Sequence, residues 1–491
     1  MNDTGIAPNA KRLLWAGFMA ILAAGVGFSI RAGILSDWGA QFGFTQSDLG
    51  QITGGGLVGF GIIILLGALI ADKVGYGRLM ILAFIAHLLS AVLTLAATPI
   101  FNSMKDGNLE AAQNAAYWCL YWGMFLFAIG NGIAEAVVNP LVATLFPKNK
   151  THYLNILHAG WPGGLILGGL ASFALVGNVR WEVQMALFLI PTVAYGVMCL
   201  GQHFPRSEAS RAGVTYGQML AEFAAPVLLL LLFIHALVGY VELGTDSWIS
   251  NITGNILASR EKGLLLFVYT SALMFGLRFY AGPIVERISP LGLLFVSACF
   301  GAIGLTLLGA AGTGLMLVIA ASIYGVGKTF LWPTMLGVVS ERFPRGGAIT
   351  IGAVGGVGML SAGLLGGPGI GYKQDYFASN HLKDTAPAVY DEYKSSTENK
   401  FLFFPTIQGL DGTKVAAVRA KEPSARTPAE KQVHDADLYG GRTAMKVTAA
   451  VPALMAVLYL LLIVYFRMKG GYKAVHLEGE KVTGGVETVV R

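Results

Sequence analysis

The segment GALIADKVGYGR, Gly67–Arg78, lies between two long apolar stretches. It combines a glycine that permits a close helix contact, a carboxylate, Asp72, near a helix end, and a cation, Arg78, across from that carboxylate. Together these features can latch one face of a helical bundle and release it. The adjacent pair Asp72-Lys73 of this segment is echoed by Glu286-Arg287, 214 residues later, which indicates an internal duplication.

Outward from this segment, the chain consists of further apolar stretches. Of its 491 residues, 54% are hydrophobic and 13% are charged, whereas a soluble domain carries about 25% charge. Such a chain cannot cover a water-facing surface, which excludes a soluble enzyme. Each stretch is long enough to cross a bilayer as a helix. The sequence therefore predicts an all-α polytopic membrane protein with twelve transmembrane helices, spans 1 to 12, at 13–38, 48–71, 78–98, 116–146, 153–177, 181–203, 224–251, 263–285, 291–311, 315–340, 347–370 and 444–466.

The basic residues between the stretches predict the orientation. Alternate connections are rich in lysine and arginine, and the intervening short connections hold only four such residues. By the positive-inside rule, both termini are expected in the cytoplasm and the protein in the cytoplasmic (inner) membrane. The formal charge of +6 reflects this distribution and does not indicate nucleic-acid binding. The long loop 371–443 then lies outside, where it either caps the outer mouth or is largely disordered.

A repeat divides the chain into two pseudo-symmetric six-helix bundles. We predict an N-terminal bundle at 1–203, a cytoplasmic linker at 204–222, a C-terminal bundle at 223–467 that includes the external loop, and a solvated cytoplasmic tail at 468–491. The prediction rests on the order of glycines and prolines in two spans: Gly130-Asn131-Gly132, Pro140 and Phe146-Pro147 in span 4, echoed by Gly325-Val326-Gly327, Pro333 and Phe343-Pro344 in span 10.

Four charged residues fall inside the apolar stretches, where each charge costs about 2.5–3.5 kcal/mol on insertion scales. These are Glu135, Glu242, Arg31 and Lys328. We expect the acids and bases to pair across the interface between the halves and to converge on one wet cavity. The alternative is that these charges form purely structural ion pairs with no part in binding or transport. Arg278 lies near the predicted cytoplasmic end of span 8. Its side chain is expected to extend to the membrane–water interface or to join the latch at Gly67–Arg78.

The loop signature at Gly67–Arg78 resembles that of the major facilitator superfamily. Further motifs are Gly130-x-Gly132 with Glu135 and Asn139-Pro140, Leu154-Asn155-x-Leu157-His158, and Tyr240-Val241-Glu242 with Trp248. On these residues the chain resembles, within that superfamily, the fucose and glucose/mannose type sugar:proton symporters. The resemblance implies that Glu135 couples a proton and that spans 1, 4, 5, 7 and 10 contact the sugar. The fucose symporters carry an aspartate in span 1, whereas this chain has Arg31, and a fixed cation would instead recognise a sugar acid or another organic anion.

The candidate site residues fall into three groups, and no catalytic residue, cofactor or metal site is expected. His87 and His235 stand alone and are interpreted as packing residues. Proton coupling is assigned to Glu135 and Glu242. The predicted substrate-binding residues are Arg31, Asn139, Asn155, His158, Trp161, Glu242, Trp248, Lys328 and Trp332. The predicted gating residues are Gly67, Asp72, Gly75, Arg78, Glu286 and Arg287.

The predicted function is secondary active transport of a small polar solute, most simply a monosaccharide, by alternating access with proton symport. The alternatives are an organic-anion or sugar-acid carrier and an exporter of amphipathic compounds. A membrane-embedded enzyme would need a nucleophile–base or metal constellation, and a sensor would need a signalling domain. The expected partners are the solute, a proton and the lipid bilayer, with no nucleic acid, and the protein is expected to be a monomer.

Overall fold

The computed structural model describes residues 7–44, 46–175 and 178–477. Within these residues, twelve helical spans form two pseudo-symmetric six-helix bundles, which confirms the predicted fold class. The spans are Ala10–Phe42, Gln46–Val74, Tyr76–Met104, Leu109–Leu145, Lys150–His158 with Gly160–Leu175, Trp181–Ala186 with Leu189–Cys199, Pro226–Gly239 with Thr245–Ile256, Arg260–Arg278, Ala281–Ala310, Gly314–Lys328 with Leu331–Arg342, Gly347–Ser361 with Gly367–Thr385, and Pro428–Thr448 with Ala450–Met468.

Among the described residues, eleven helices are long and apolar enough to cross a membrane. The helix outside this set is Arg260–Arg278, which carries charged residues at both ends. Span 9, Ala281–Ala310, is broken at Ser289, where φ is 64° and ψ is 162°. The helical segment 281–288 therefore lies between Arg278 and this break.

We call the side of the membrane at which span 1 begins and span 12 ends the terminal face. Here the segment between the bundles contains two short helices, Glu208–Arg211 and Tyr216–Ala221. The terminal face is closed in the described residues because Lys150 of span 5 donates to Glu208 at 2.6 Å and to the Ser340 carbonyl of span 10 at 3.2 Å. These contacts hold the two bundles together at this face.

The described part of the predicted tail is exposed or half-buried, and it contacts the end of span 10. The Val475 amide donates to the Glu341 carbonyl at 2.8 Å, and the Tyr472 hydroxyl donates to the Glu341 carboxylate at 2.7 Å. Burial and the negative charge of Glu341 raise the pKa of Tyr472. This part of the tail therefore folds back onto span 10; residues 478–491 of the predicted tail lie outside the described residues.

At the opposite face, spans 11 and 12 are longer than predicted. Span 11 continues to Thr385 and span 12 begins at Pro428, so helices fill both ends of the predicted loop 371–443. Between them lie helices Pro387–Tyr393 and Gly412–Ala420. This external segment has its own apolar core, which consists of Leu382, Ala386, Val415, Val418, Val433 and Ala436. The segment is therefore a folded extension of the C-terminal bundle, which does not fit the alternative of a largely disordered loop.

Candidate functional site

Three predicted site residues form one hydrogen-bonded chain inside the N-terminal bundle. Glu135 is 7% exposed, and Asn139, one turn later in span 4, donates its Nδ2 to Oε2 of Glu135 at 2.6 Å. Nε2 of His158 in span 5 lies 2.8 Å from Oδ1 of Asn139. Because that oxygen only accepts, Nε2 carries the proton. His158 Nε2 also lies 3.9 Å from Glu135 Oε2. The chain thus connects a carboxyl group on span 4 to an imidazole on span 5.

Arg278 lies at the centre of the buried network, and the expectation that it reaches the membrane–water interface or joins the latch at Gly67–Arg78 is wrong. The side chain is 1% exposed. Its Nε donates to the Thr329 carbonyl at 2.8 Å, its Nη1 to the His158 carbonyl at 2.6 Å and its Nη2 to Oε1 of Glu242 at 3.0 Å. Ten residues, 279–288, lie between Arg278 and the break at Ser289. The three hydrogen bonds therefore place Arg278 within the polar network.

The charges of the C-terminal bundle pair with one another. Lys328 donates to Oδ1 of Asp246 at 2.5 Å, and both side chains are buried. Glu242 pairs with Arg278 of the same bundle. The expected pairing of acids and bases across the interface is therefore wrong for Lys328 and Glu242. The second carboxylate oxygens of Glu242 and Asp246 are buried without a hydrogen-bond partner in the described residues, which leaves acceptors free.

Arg31 lies apart from this network, so the expected convergence of four charges is also wrong. Its Nη2 donates to the Ser90 hydroxyl at 3.2 Å and its Nη1 to the Gly27 carbonyl at 3.3 Å. The guanidinium lies 3.7 Å from the centroid of the Phe127 ring, a cation–π contact. Phe127 also lines a small cavity together with Ala24, Phe28, Gly56, Leu57, Phe60, Met124, Ala128, Asn131 and Trp161.

The other predicted binding residues surround these groups. Asn155 donates to the Thr334 hydroxyl at 3.2 Å across the two bundles. Trp161 lines the cavity, with its ring 5.6 Å from that of Phe28. Trp332 packs edge-on against His235 with ring centroids 4.6 Å apart, and the Trp248 indole donates to the Gly367 carbonyl at 2.8 Å.

The predicted gating residues are not all joined. Gly67 lies against span 4, where an added Cβ would meet the Ala136 side chain at 2.9 Å. Gly75 has a φ of 92° at the start of span 3, a conformation that favours glycine. Asp72 accepts from the Tyr76 hydroxyl at 3.2 Å, whereas Arg78, Glu286 and Arg287 are exposed. The expected contact between Asp72 and the cation across the loop is therefore absent from the hydrogen bonds and ion pairs of the described residues.

Two bundles of membrane-crossing helices with a buried polar network between them define the class of two-bundle membrane transporters. The family model of the Major Facilitator Superfamily matches residues 17–367. The chain belongs to this superfamily, whose members are transporters. No curated protein sequence matches the chain.

Solved structures similar to the chain share its fold. A proton:xylose symporter, XylE, bound to 6-bromo-6-deoxy-D-glucose is 14% identical, with a TM-score of 0.66 over 92% of this chain and 95% of that chain. The fucose:proton symporter FucP of E. coli is 15% identical, with a TM-score of 0.61 over 91% and 97%. The human organic anion transporter MFSD10 is 13% identical, with a TM-score of 0.61 over 92% and 100%.

Proposed function

We propose that the protein is a secondary active transporter that moves a small polar solute, most simply a monosaccharide, by alternating access with proton symport. The proposal includes the predicted boundaries of the two bundles, cytoplasmic termini in the inner membrane, and action as a single chain. The solved symporters for xylose and fucose have the same fold, which supports the solute class.

One observation carries the proposal: two buried hydrogen-bonded groups meet at His158. Its imidazole bonds to Asn139, which bonds to Glu135, and its backbone carbonyl accepts from the Arg278 guanidinium, which also pairs with Glu242. Buried ionisable groups in membrane helices are costly, and in transporters they mark proton and solute pathways. Glu135 is the proton carrier. Its carboxyl group accepts a hydrogen bond from the Asn139 amide and lies near the His158 imidazole.

The test measures uptake of labelled hexoses, sugar acids and nucleosides into proteoliposomes, with and without a pH gradient. Glu135→Gln is expected to abolish accumulation against a gradient while it preserves exchange. Glutamine can still accept the hydrogen bond from Asn139, but it cannot take up or release a proton. Glu398→Gln, on the exposed external segment, is the matched control and is expected to accumulate solute normally. Wild-type accumulation by Glu135→Gln would reject this assignment.

A second candidate, transport of a sugar acid or another organic anion, is favoured by Arg31. This buried guanidinium has no carboxylate partner among the described residues, and the Phe127 ring that it contacts also lines the cavity. A carboxylate in that cavity would supply the missing counter-charge. Uptake of a uronate or aldonate in preference to the parent hexose, lost in Arg31→Gln, would decide for this candidate. Selective hexose uptake would decide for the first.

A further inference from the structure

Arg278 contacts three helices at the places where their regular hydrogen bonding is interrupted. Span 5 is interrupted after His158, span 10 after Lys328, and span 7 by the wider turn Tyr240–Gly244. Each of the three guanidinium nitrogens donates to an acceptor at one of these interruptions. An arginine can do this because its five N–H donors have a fixed, planar arrangement, which a lysine lacks.

Two of these acceptors exist because of prolines. In a regular helix, the carbonyl of residue 158 accepts from the amide of residue 162, and that of residue 329 accepts from the amide of residue 333. Both donor positions are proline, Pro162 and Pro333, which have no N–H. Carbonyls without a donor are unfavourable in a membrane interior. One guanidinium therefore replaces two missing backbone donors, one in each bundle.

The three hydrogen bonds differ in what they join. Arg278, Thr329 and Glu242 all lie in the C-terminal bundle, so the bonds among them move with that bundle as one body. His158 lies in the N-terminal bundle, so the bond to its carbonyl crosses the interface. The contacts of Asn155 with Thr334 and of Lys150 with Ser340 cross the same interface nearer the terminal face.

We propose that Arg278 is a positioning residue that holds the terminal face closed through its bond to the His158 carbonyl. This inference rests on the proposed alternating access: when the bundles rock apart at the terminal face, this bond breaks, whereas the bonds to Thr329 and Glu242 persist. The loss of this inter-bundle bond should therefore favour opening at the terminal face. The loss of the Thr329 bond, which lies within one bundle, should not.

The two prolines provide a matched pair of variants. Pro162→Ala restores an amide that can donate to the His158 carbonyl within span 5, and thereby weakens the inter-bundle bond. Pro333→Ala restores the corresponding amide in span 10, and it changes only a bond inside the C-terminal bundle. The readout is the rate at which a maleimide labels Ala143→Cys in purified protein in detergent micelles, with Cys119, Cys199 and Cys299 replaced by alanine. Ala143 lines a small cavity at the closed terminal face, together with Lys150, Glu208 and Ser340.

Pro162→Ala is expected to label several-fold faster than the parent, and Pro333→Ala within twofold of it. Arg278→Gln should label fastest, and Arg278→Lys should fall between this variant and the parent because it keeps the charge without the planar set of donors. Arg180→Gln, which changes an exposed arginine, is the control and should label at the parent rate. If Arg278→Gln fails to fold, the two proline variants decide.

Equal labelling of Pro162→Ala and the parent, or equal acceleration by both proline variants, would overturn the proposal. The assay needs neither a known solute nor a proton gradient. A protein that shows the expected labelling pattern but no solute uptake would therefore reject the proposed function and keep this inference. Normal uptake with an unchanged labelling pattern would do the reverse.

Discussion

Arg31 is buried at 2% exposure with its Nε unpartnered. Among the described residues its charge is compensated by two long hydrogen bonds and by the rings of Phe127 and Phe188. Even buried ion pairs, in which each charge has a partner, are often replaced by apolar side chains at no cost or with a gain of about 1–4 kcal/mol. The guanidinium is therefore expected to contribute little to stability.

We therefore expect Arg31→Met to keep or raise the thermal unfolding midpoint of the purified protein while it impairs solute uptake. Thermal unfolding followed by intrinsic fluorescence measures the first effect, and uptake into proteoliposomes measures the second. Arg180→Met, at an exposed position, should change neither quantity. A clearly lower midpoint for Arg31→Met would show that the guanidinium is structural and would remove the support for an anion site.

The depth of single residues could be predicted from the sequence better than their partners. Helix rise and the position of Pro147 place Glu135 in mid-membrane, and the structure brings it next to Asn139 and His158. Lys328 lies 82 residues from Asp246, and no local pattern could choose between that acid and Glu242. The role of Arg278 could not be predicted, because the sequence does not show that two carbonyls from separate bundles lie close together. Each of these carbonyls lacks a backbone donor because a proline stands at the donor position. The sequence signal was Pro162 and Pro333, each four residues after an acceptor.

At the scale of the elements, spans 7 and 11 contact each other through glycines next to two wider helical turns, Tyr240–Gly244 and Ala362–Gly366. A Cβ on Gly244 would lie 2.6 Å from the Gly366 Cα, and one on Gly239 would overlap the Gly358 carbonyl oxygen. Backbones this close leave no space for a side chain, so this helix pair depends on the glycines.

Gly239→Ala is expected to destabilise the protein by at least the roughly 1–3 kcal/mol typical of overpacking, because its new methyl group meets backbone and not a movable side chain. Gly276→Ala is the matched control in span 8, where an added Cβ meets nothing within 4 Å; alanine favours the helix there by about 1 kcal/mol. Thermal midpoints of the two variants should shift in opposite directions. Equal midpoints would contradict the close packing of spans 7 and 11.

The apolar stretches located the spans correctly but not their ends. Hydropathy measures where a helix crosses hydrocarbon, whereas spans 11 and 12 continue as helices into water up to Thr385 and from Pro428. Those extensions are polar on the surface and pack against each other, so their composition resembles that of a loop. The wider turns of spans 7 and 11 left no signal beyond their glycines, because they arise from packing between helices distant in sequence.

At the scale of the whole molecule, the buried side chain of Lys150 joins three parts of the chain. Lys150 of the N-terminal bundle pairs with Glu208 of the connecting segment at 2.6 Å and donates to Ser340 of the C-terminal bundle. Thr151 donates to Glu341 beside them, and Glu341 also accepts from Tyr472 of the tail. The closed terminal face thus depends on contacts among both bundles, the connecting segment and the tail, which no single span could reveal.

Lys150→Gln is expected to destabilise the protein by about 3–5 kcal/mol, because it leaves the Glu208 carboxylate buried without its counter-charge. The double variant Lys150→Gln/Glu208→Gln removes both charges and should recover much of that loss, a strong coupling between neighbouring residues. Lys394→Gln breaks an exposed ion pair with Asp391, and its thermal midpoint should stay at the wild-type value. The four proteins are compared by thermal unfolding in the same detergent. If the double variant were less stable than Lys150→Gln alone, removal of the unpaired carboxylate charge would bring no gain, which would contradict a strong coupling between Lys150 and Glu208.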